Sequence, residues 1–244
     1  MKAMRNAAPE LPAHVLSAFQ LDGTEGEPLG WAWGGGTRFG RAVVSPASAA
    51  SAWSGKVREK IDSGAALRVA RPVRATDGRL IVGGYTATEF AEGEPRQRID
   101  EAVAAALYFD EAMSPFDPPA DYRGEPRAEA DRAVWRDAPS APGGVVAHLD
   151  FLSCLLFAGD GPATLTDIVP SAGLRPRGYT AAIVLVDGLL AGAVDAAVID
   201  RWAHVPSLRD LAQRALDYRV NCVDPAYTNM RSKIEWVGSL LVSD

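Results

Sequence analysis

Between Gly144 and Pro170 the chain carries residue types that can handle a metal and a phosphate. They are a His-x-Asp (His148, Asp150), an apolar run, the Gly159-Asp160-Gly161 turn and then a lone Asp167. Carboxylates beside apolar strands can hold a hard cation or take a proton from a hydroxyl. The same two acids can also cap turns, since Asp readily bonds its own backbone at strand ends. His148 has two readings as well: it orients the loop through hydrogen bonds, or it moves protons. Cys154 reads as a small buried hydrophobe. A nucleophilic Cys154 would need a base, and His148 stands six positions before it. A second stretch of interest is "WAWGGGTRFGRAVVSP", Trp31 to Pro46. Gly34-Gly35-Gly36 there is either a hairpin turn or a loop that lets backbone approach a ligand. Trp31 and Trp33 are packing residues or a stacking platform.

The elements that must position these groups follow from local pattern. "PAHVLSAFQL" is compatible with a short helix, and the Gly-rich stretch with a hairpin that Pro46 ends. Ala47 to Gly64 suits a helix stopped by Gly64. Leu67 to Gly93 alternates apolar and polar residues about an Asp77-Gly78 turn. Ile99, Val103, Ala106 and Leu107 then fall on one helical face. "RAEADRAVWRD" is a further helical piece. His148, Asp150 and Asp167 lie on a small hairpin region, and helices follow from Tyr179 onward. The expected architecture is α+β, with a β-rich unit carrying one helix over residues 1–93 and a mainly helical unit over 94–244.

Bulk composition narrows the function classes. The chain has 244 residues, 48% hydrophobic and 23% charged, which is ample for a globular core. A net charge of −6 argues against a nucleic-acid or anionic-membrane partner. The apolar run from Tyr179 to Ile199 is interrupted by Asp187 and Asp195 and reads as a buried helix rather than a membrane span. Those two acids read as helix-surface groups or partners of arginine. No Lys/Arg-headed apolar leader is present, and the two cysteines form no zinc pattern, so a cytoplasmic protein with reduced thiols is expected. Lysine occurs only at positions 2, 56, 60 and 233. The sequence leaves the oligomeric state open.

Taken in order, "WGGGTRFG", "RAVVSP", "VREKI", "ARPV", "HLDFLSC" and "LTDIV" resemble the aminoglycoside-phosphotransferase and choline-kinase branch of the protein-kinase-like fold, and more closely an actinobacterial family of that fold. The resemblance covers nearly the whole chain. It implies a two-lobed molecule with a small β-rich N-lobe and a mainly helical C-lobe. It further implies Asp150 as the acceptor-side base beside His148, Asp167 as a Mg²⁺ ligand, and Gly34, Gly35, Gly36 and Ser45 near a bound nucleotide. Two positions depart from the pattern. Cys154 stands where the family has a metal-binding Asn, and Ser45 where it has the phosphate-gripping Lys. Lys56 and Lys60 on the next helix are the lysines that could stand in. The segment between Trp135 and His148 is short for the family. A thiol is a poor Mg²⁺ ligand, and Ser45 brings no charge to a triphosphate.

Three functions stay open on these residues: an atypical transferase acting on a small molecule, a repurposed enzyme that uses the cleft without ATP, and a non-catalytic binding module.

Overall fold

The structure is a computed structural model and describes residues 11–120, 122–138, 142–222 and 230–242. Short alternating segments in the first ninety residues build an antiparallel sheet. Its order is β1 (Gly26–Pro28), β2 (Thr37–Phe39), β3 (Ala42–Pro46), β7 (Tyr85–Glu89), β5 (Pro72–Val73), with β6 (Ile81–Val82) also pairing β7. Period-two alternation divides the side chains of β3 and β7 between two faces. Ala42, Val44 and Ala87 pack with Val15 and Phe19 from helix α1 (Ala13–Ala18) and its end. Val43 packs on the other side with Ala32, Trp33 and Leu156. Ser45 is the register partner of Thr86, and Thr88 lies two residues further along β7. Asp77-Gly78 forms a turn, with Ala75 N–H donating to Arg79 O, but the β6–β7 ladder closes at Gly83-Gly84. Both of these glycines have positive φ, as the tight two-residue hairpin requires.

Helix α2 is shorter than its sequence segment and spans Ser51–Arg58. The Ser51 hydroxyl accepts from Ser48 N–H and fixes the entry of the chain. β4 (Leu67–Val69) does not join the first sheet. It pairs in parallel with β10 (Ala163–Leu165), which pairs antiparallel with β9 (Leu155–Leu156). A strand from the first ninety residues is thereby tied to the hairpin region of the second half.

β8 (Val145–His148) pairs with β11 (Pro170–Arg175), a strand that the sequence pattern does not announce. Its ladder shifts register between Pro170 and Leu174, which breaks the alternation by which a strand is normally read. The helices are α3 (Ile99–Ala112), α4 (Pro126–Trp135), α5 (Tyr179–Ala191), α6 (Ala197–Arg201), α7 (Leu208–Cys222) and α8 (Arg231–Val242). α5 is apolar nearly all round and forms the centre of the main core, against α3 and α7. The long apolar run is not one helix: Gly192, with φ of +70°, ends α5, and Ile199 belongs to α6. No helix among the described residues is long and apolar enough to cross a membrane. The chain is thus a mixed α+β protein.

Candidate functional site

A cleft of about 280 Å³ lies beside the ends of β3, β8 and β10, and both Asp150 and Asp167 line it. Burial of Val145, Val146 and Ala147 fixes β8. His148, at its end, is fully buried. Its Nδ1 accepts from Asp150 N–H at 3.1 Å, and its Nε2 lies 3.0 Å from the carbonyl of Asp167. The backbone N–H of Val169 also points at Nε2, at 3.3 Å, so backbone groups enclose both ring nitrogens. Burial pushes the His148 pKa down to about 4, against the pull of the Asp167 backbone bond and both carboxylates. A neutral, enclosed imidazole that joins the backbones of the two acids is an orienting group. Of the two readings of His148, this geometry favours the orienting one, since both ring nitrogens are occupied by backbone groups and the ring is fully buried.

Neither carboxylate stands alone. Asp150 Oδ2 is 2.7 Å from Arg127 Nη2, at the start of α4, and Asp150 Oδ1 is 3.8 Å from Arg219 Nη2 on α7. Arg219 is itself gripped by Asp187, with Nε–Oδ1 at 2.6 Å and Nη2–Oδ2 at 2.5 Å. Burial works against the Arg219 charge, but Asp187 beside it holds the guanidinium above its ordinary value. Asp187 is therefore a partner of arginine, while Asp195, exposed past the end of α5, has only a loose contact with Arg201 at 4.0 Å. Asp167 Oδ1 accepts from the Ser54 hydroxyl at 2.6 Å and from Ile168 N–H at 2.8 Å.

Behind Asp167 lies Arg58, 2% exposed, with Nε 3.7 Å from Asp167 Oδ1. Its Nη1 donates to the carbonyls of Thr166 at 2.8 Å and Ala70 at 3.0 Å, and more distantly to Thr88 Oγ1. Burial lowers its pKa, and the Asp167 charge opposes that. Lys56 and Lys60 do not take this place: both are exposed. Lys56 is on the solvent face of α2 and Lys60 lies in the turn after it, while Ser54 and Arg58 share the inner face of the helix. Sequence reasoning missed Arg58, Arg127 and Arg219. The signal for Arg58 was its place among Ser54, Val57 and Ile61 on the buried stripe.

The glycine stretch spends its backbone donors within its own turn, which works against a phosphate cradle. Gly34 and Gly35 adopt φ of +61° and +66°, yet the N–H groups of Gly34, Gly35 and Gly36 donate to Trp31 O, Gly30 O and Trp33 O. Their donors are consumed inside the turn. Ser45 donates to Trp33 O at 2.8 Å and lines a smaller inner cavity rather than the main cleft. The tryptophans divide: Trp33 stacks on Phe90, whereas Trp31 is exposed at the cleft. Cys154 lines the cleft, but burial and the Asp150 and Asp167 charges push its thiol well above the ordinary value. That direction works against a thiolate, and so against a nucleophilic role for the half-buried Cys154.

The residues present do not fit the Mg²⁺ site that the resemblance implies. Magnesium needs near-octahedral oxygen ligands. Asp150 is committed to two guanidinium groups and Cys154 is soft, which leaves Asp167 Oδ2 as the one carboxylate oxygen of the pair without a cation or donor among the described residues. No group of three or more His, Cys, Asp or Glu able to hold a metal occurs among the described residues. The short segment before His148 includes residues 139–141, which lie outside the described ones. No family model matches the chain, and no curated protein matches it.

Proposed function

We propose that this chain is a cytoplasmic small-molecule-binding protein of two-lobed, protein-kinase-like architecture, whose cleft works without Mg²⁺ and without transfer from a nucleotide. One observation carries the reading: Asp150, the position of the acceptor-side base, is held by Arg127 at 2.7 Å with Arg219 behind it. A general base must offer a free lone pair to the proton that it takes. Here the lone pairs face guanidinium groups that the protein itself supplies. Asp167 is likewise provided with Ser54 and Arg58. The Asp150 side of the cleft is thus charge-compensated by the protein's own arginines, an arrangement suited to binding and release rather than to phosphoryl transfer, which relies on metal ions and free cations at the phosphates. The net charge of −6 agrees with a small-molecule partner rather than a nucleic acid.

Isothermal titration with ATP and GTP, with and without Mg²⁺, tests this. The expected result is no Mg²⁺-dependent heat. A metabolite that raises the melting temperature should do so equally in EDTA, and Asp150→Asn should retain its binding. Mg²⁺-dependent nucleotide binding, or phosphate transfer abolished by Asp150→Asn, overturns the reading.

A further inference from the structure

Behind the glycine turn is an inner cavity of about 60 Å³, with Gly34, Ser45, Arg58, Thr86, Thr88 and Asp167 in its wall. Gly34, Pro46 and Asp167 belong to the walls of both this cavity and the main cleft, so the two adjoin. The inner cavity is polar where a sheet face is normally apolar. Alternation along β7 places Thr86 and Thr88 on the inner face, with Ala87 turned to the opposite core. Both threonines are buried.

The donors in this cavity are not all used. Arg58 spends Nε and Nη1 on Ser54, Ala70, Thr88 and Thr166, while its Nη2 makes no hydrogen bond to a described residue. Thr88 Oγ1 accepts from Arg58, which leaves its own hydroxyl hydrogen to give. Thr86 Oγ1 has no partner among the described residues. These donors border the open space of the cavity and are free to meet an acceptor that enters it, and a charge-assisted bond there is stronger than a neutral one. Among the described residues the one carboxylate paired with Arg58 is Asp167, 3.7 Å away and with a side chain 46% exposed. The guanidinium is therefore only partly compensated, and its free edge points the chemistry toward a negative acceptor.

We propose that this inner cavity is the anchoring subsite of the cleft's ligand and receives a carboxylate, held by Arg58 Nη2 and the hydroxyls of Thr86 and Thr88 without any metal. The proposal rests on the reading that the cleft takes a small molecule without nucleotide or Mg²⁺. Size permits a carboxylate: a cavity of about 60 Å³ has room for a few water-sized groups and so for a small planar anion. Charge supports it too. Asp167 occupies the Nε side of the same guanidinium, so a second monoanion can share Arg58 from the Nη2 side, while a dianionic phosphate meets stronger repulsion. The ligand class is then a small organic acid whose body lies in the main cleft near Trp31 and Arg127.

Acetate is the probe, with acetamide as the neutral isostere and sodium chloride at equal ionic strength as the control. Binding is read by titration of the ¹⁵N-labelled protein, following the arginine side-chain and Thr86 and Thr88 resonances. Acetate is expected to give saturable shifts at these groups, with acetamide at least tenfold weaker. Thr86→Val keeps the shape of the side chain and removes one donor, and it should weaken acetate about three- to tenfold. Arg58→Gln should abolish saturable binding. If that variant does not fold, Thr86→Val decides alone. Shifts equal to those of chloride, or acetate bound as tightly by Thr86→Val as by the native chain, overturn the subsite. Mg²⁺-dependent nucleotide binding overturns the wider reading instead, and the two failures are read in separate experiments.

Discussion

Asp150 draws its character from neighbours that lie far from it in the chain, Arg127 on α4 and Arg219 on α7. The two arginines differ. Arg127 is 53% exposed, so removing it should change stability by only about 0–1 kcal/mol. Arg219 is 14% exposed and bidentate to Asp187. Arg219→Met leaves Asp187 buried without its counter-charge and should cost about 3–5 kcal/mol in urea unfolding, whereas Arg219→Met with Asp187→Leu should recover much of that. A second buried acid gives a pH test. Asp110 on α3 accepts from Gly178 N–H at 2.7 Å and Thr180 Oγ1 at 2.6 Å, and so caps the start of α5. Burial raises its pKa from 3.8 to about 7, outweighing those two bonds. The folded chain therefore binds the proton more tightly than the unfolded chain. The stability contribution is full below 3.8 and is lost as pH rises through about 7. Relative to Asp110→Asn, the native protein should lose stability across that window in denaturant titrations at stepped pH. A difference that is flat with pH would show that Asp110 does not titrate there. The convergence of Asp150 and Asp167 on one cleft was legible from their flanking apolar runs and the turn between them. Their cations were not, because many arginines are spread over this chain and local pattern cannot say which of them cross to another element.

At the scale of elements, α1, α3 and the β2–β3 hairpin were legible because each satisfies its own period within a dozen residues. β11 was hidden by its irregular ladder, and the parallel β4–β10 pair joins residues nearly a hundred positions apart, with no local cue. The glycine turn shows what three identical letters conceal. Gly35 has open space around it but a φ of +66°, so Gly35→Ala should cost about 1–2 kcal/mol from backbone conformation alone. Gly36 has an ordinary φ, yet an added Cβ would meet Ser45 Oγ at 2.2 Å and Val44 O at 2.7 Å. Gly36→Ala should therefore cost more, about 1–3 kcal/mol and upward, by forcing β2 from β3. Pairing it with Ser45→Gly should restore only part of the loss, because the Val44 carbonyl stays in place. Thermal melts of the three variants check the order. A full rescue by Ser45→Gly would mean that the backbone contact is unimportant.

For the whole molecule, the question is whether the early sheet and the helical half fold as one unit. Several ties cross between them, three of them near Asp167 and β10. β4 pairs with β10 over three residues, Arg58 donates to the Thr166 carbonyl at 2.8 Å, and Ser54 donates to Asp167 at 2.6 Å. Val57, Ile61, Leu67 and Val69 also belong to the same apolar cluster as α3 and α5. The outer face of the first sheet has its own small core with α1, which by itself buries few large side chains. An antiparallel sheet with one small core on one side, and Val43 beside polar Ser45, Thr86 and Thr88 on the other, gains too little apolar burial by itself to offset its own ordering entropy. It should depend on α2 and β4 being docked on the helical half. Native-state hydrogen exchange should then find the slowest amides of β3 and β7 opening with nearly the same free energy as those of α5, within about 1 kcal/mol. Arg58→Gln should lower both together, since the guanidinium holds carbonyls from both sides of the junction. If β3 and β7 exchange through a much cheaper opening while α5 stays protected, the sheet is a separate cooperative unit. The cleft between them would then be a joint that opens on its own, and the alignment of Arg58 with Asp167 would last only as long as that joint is closed.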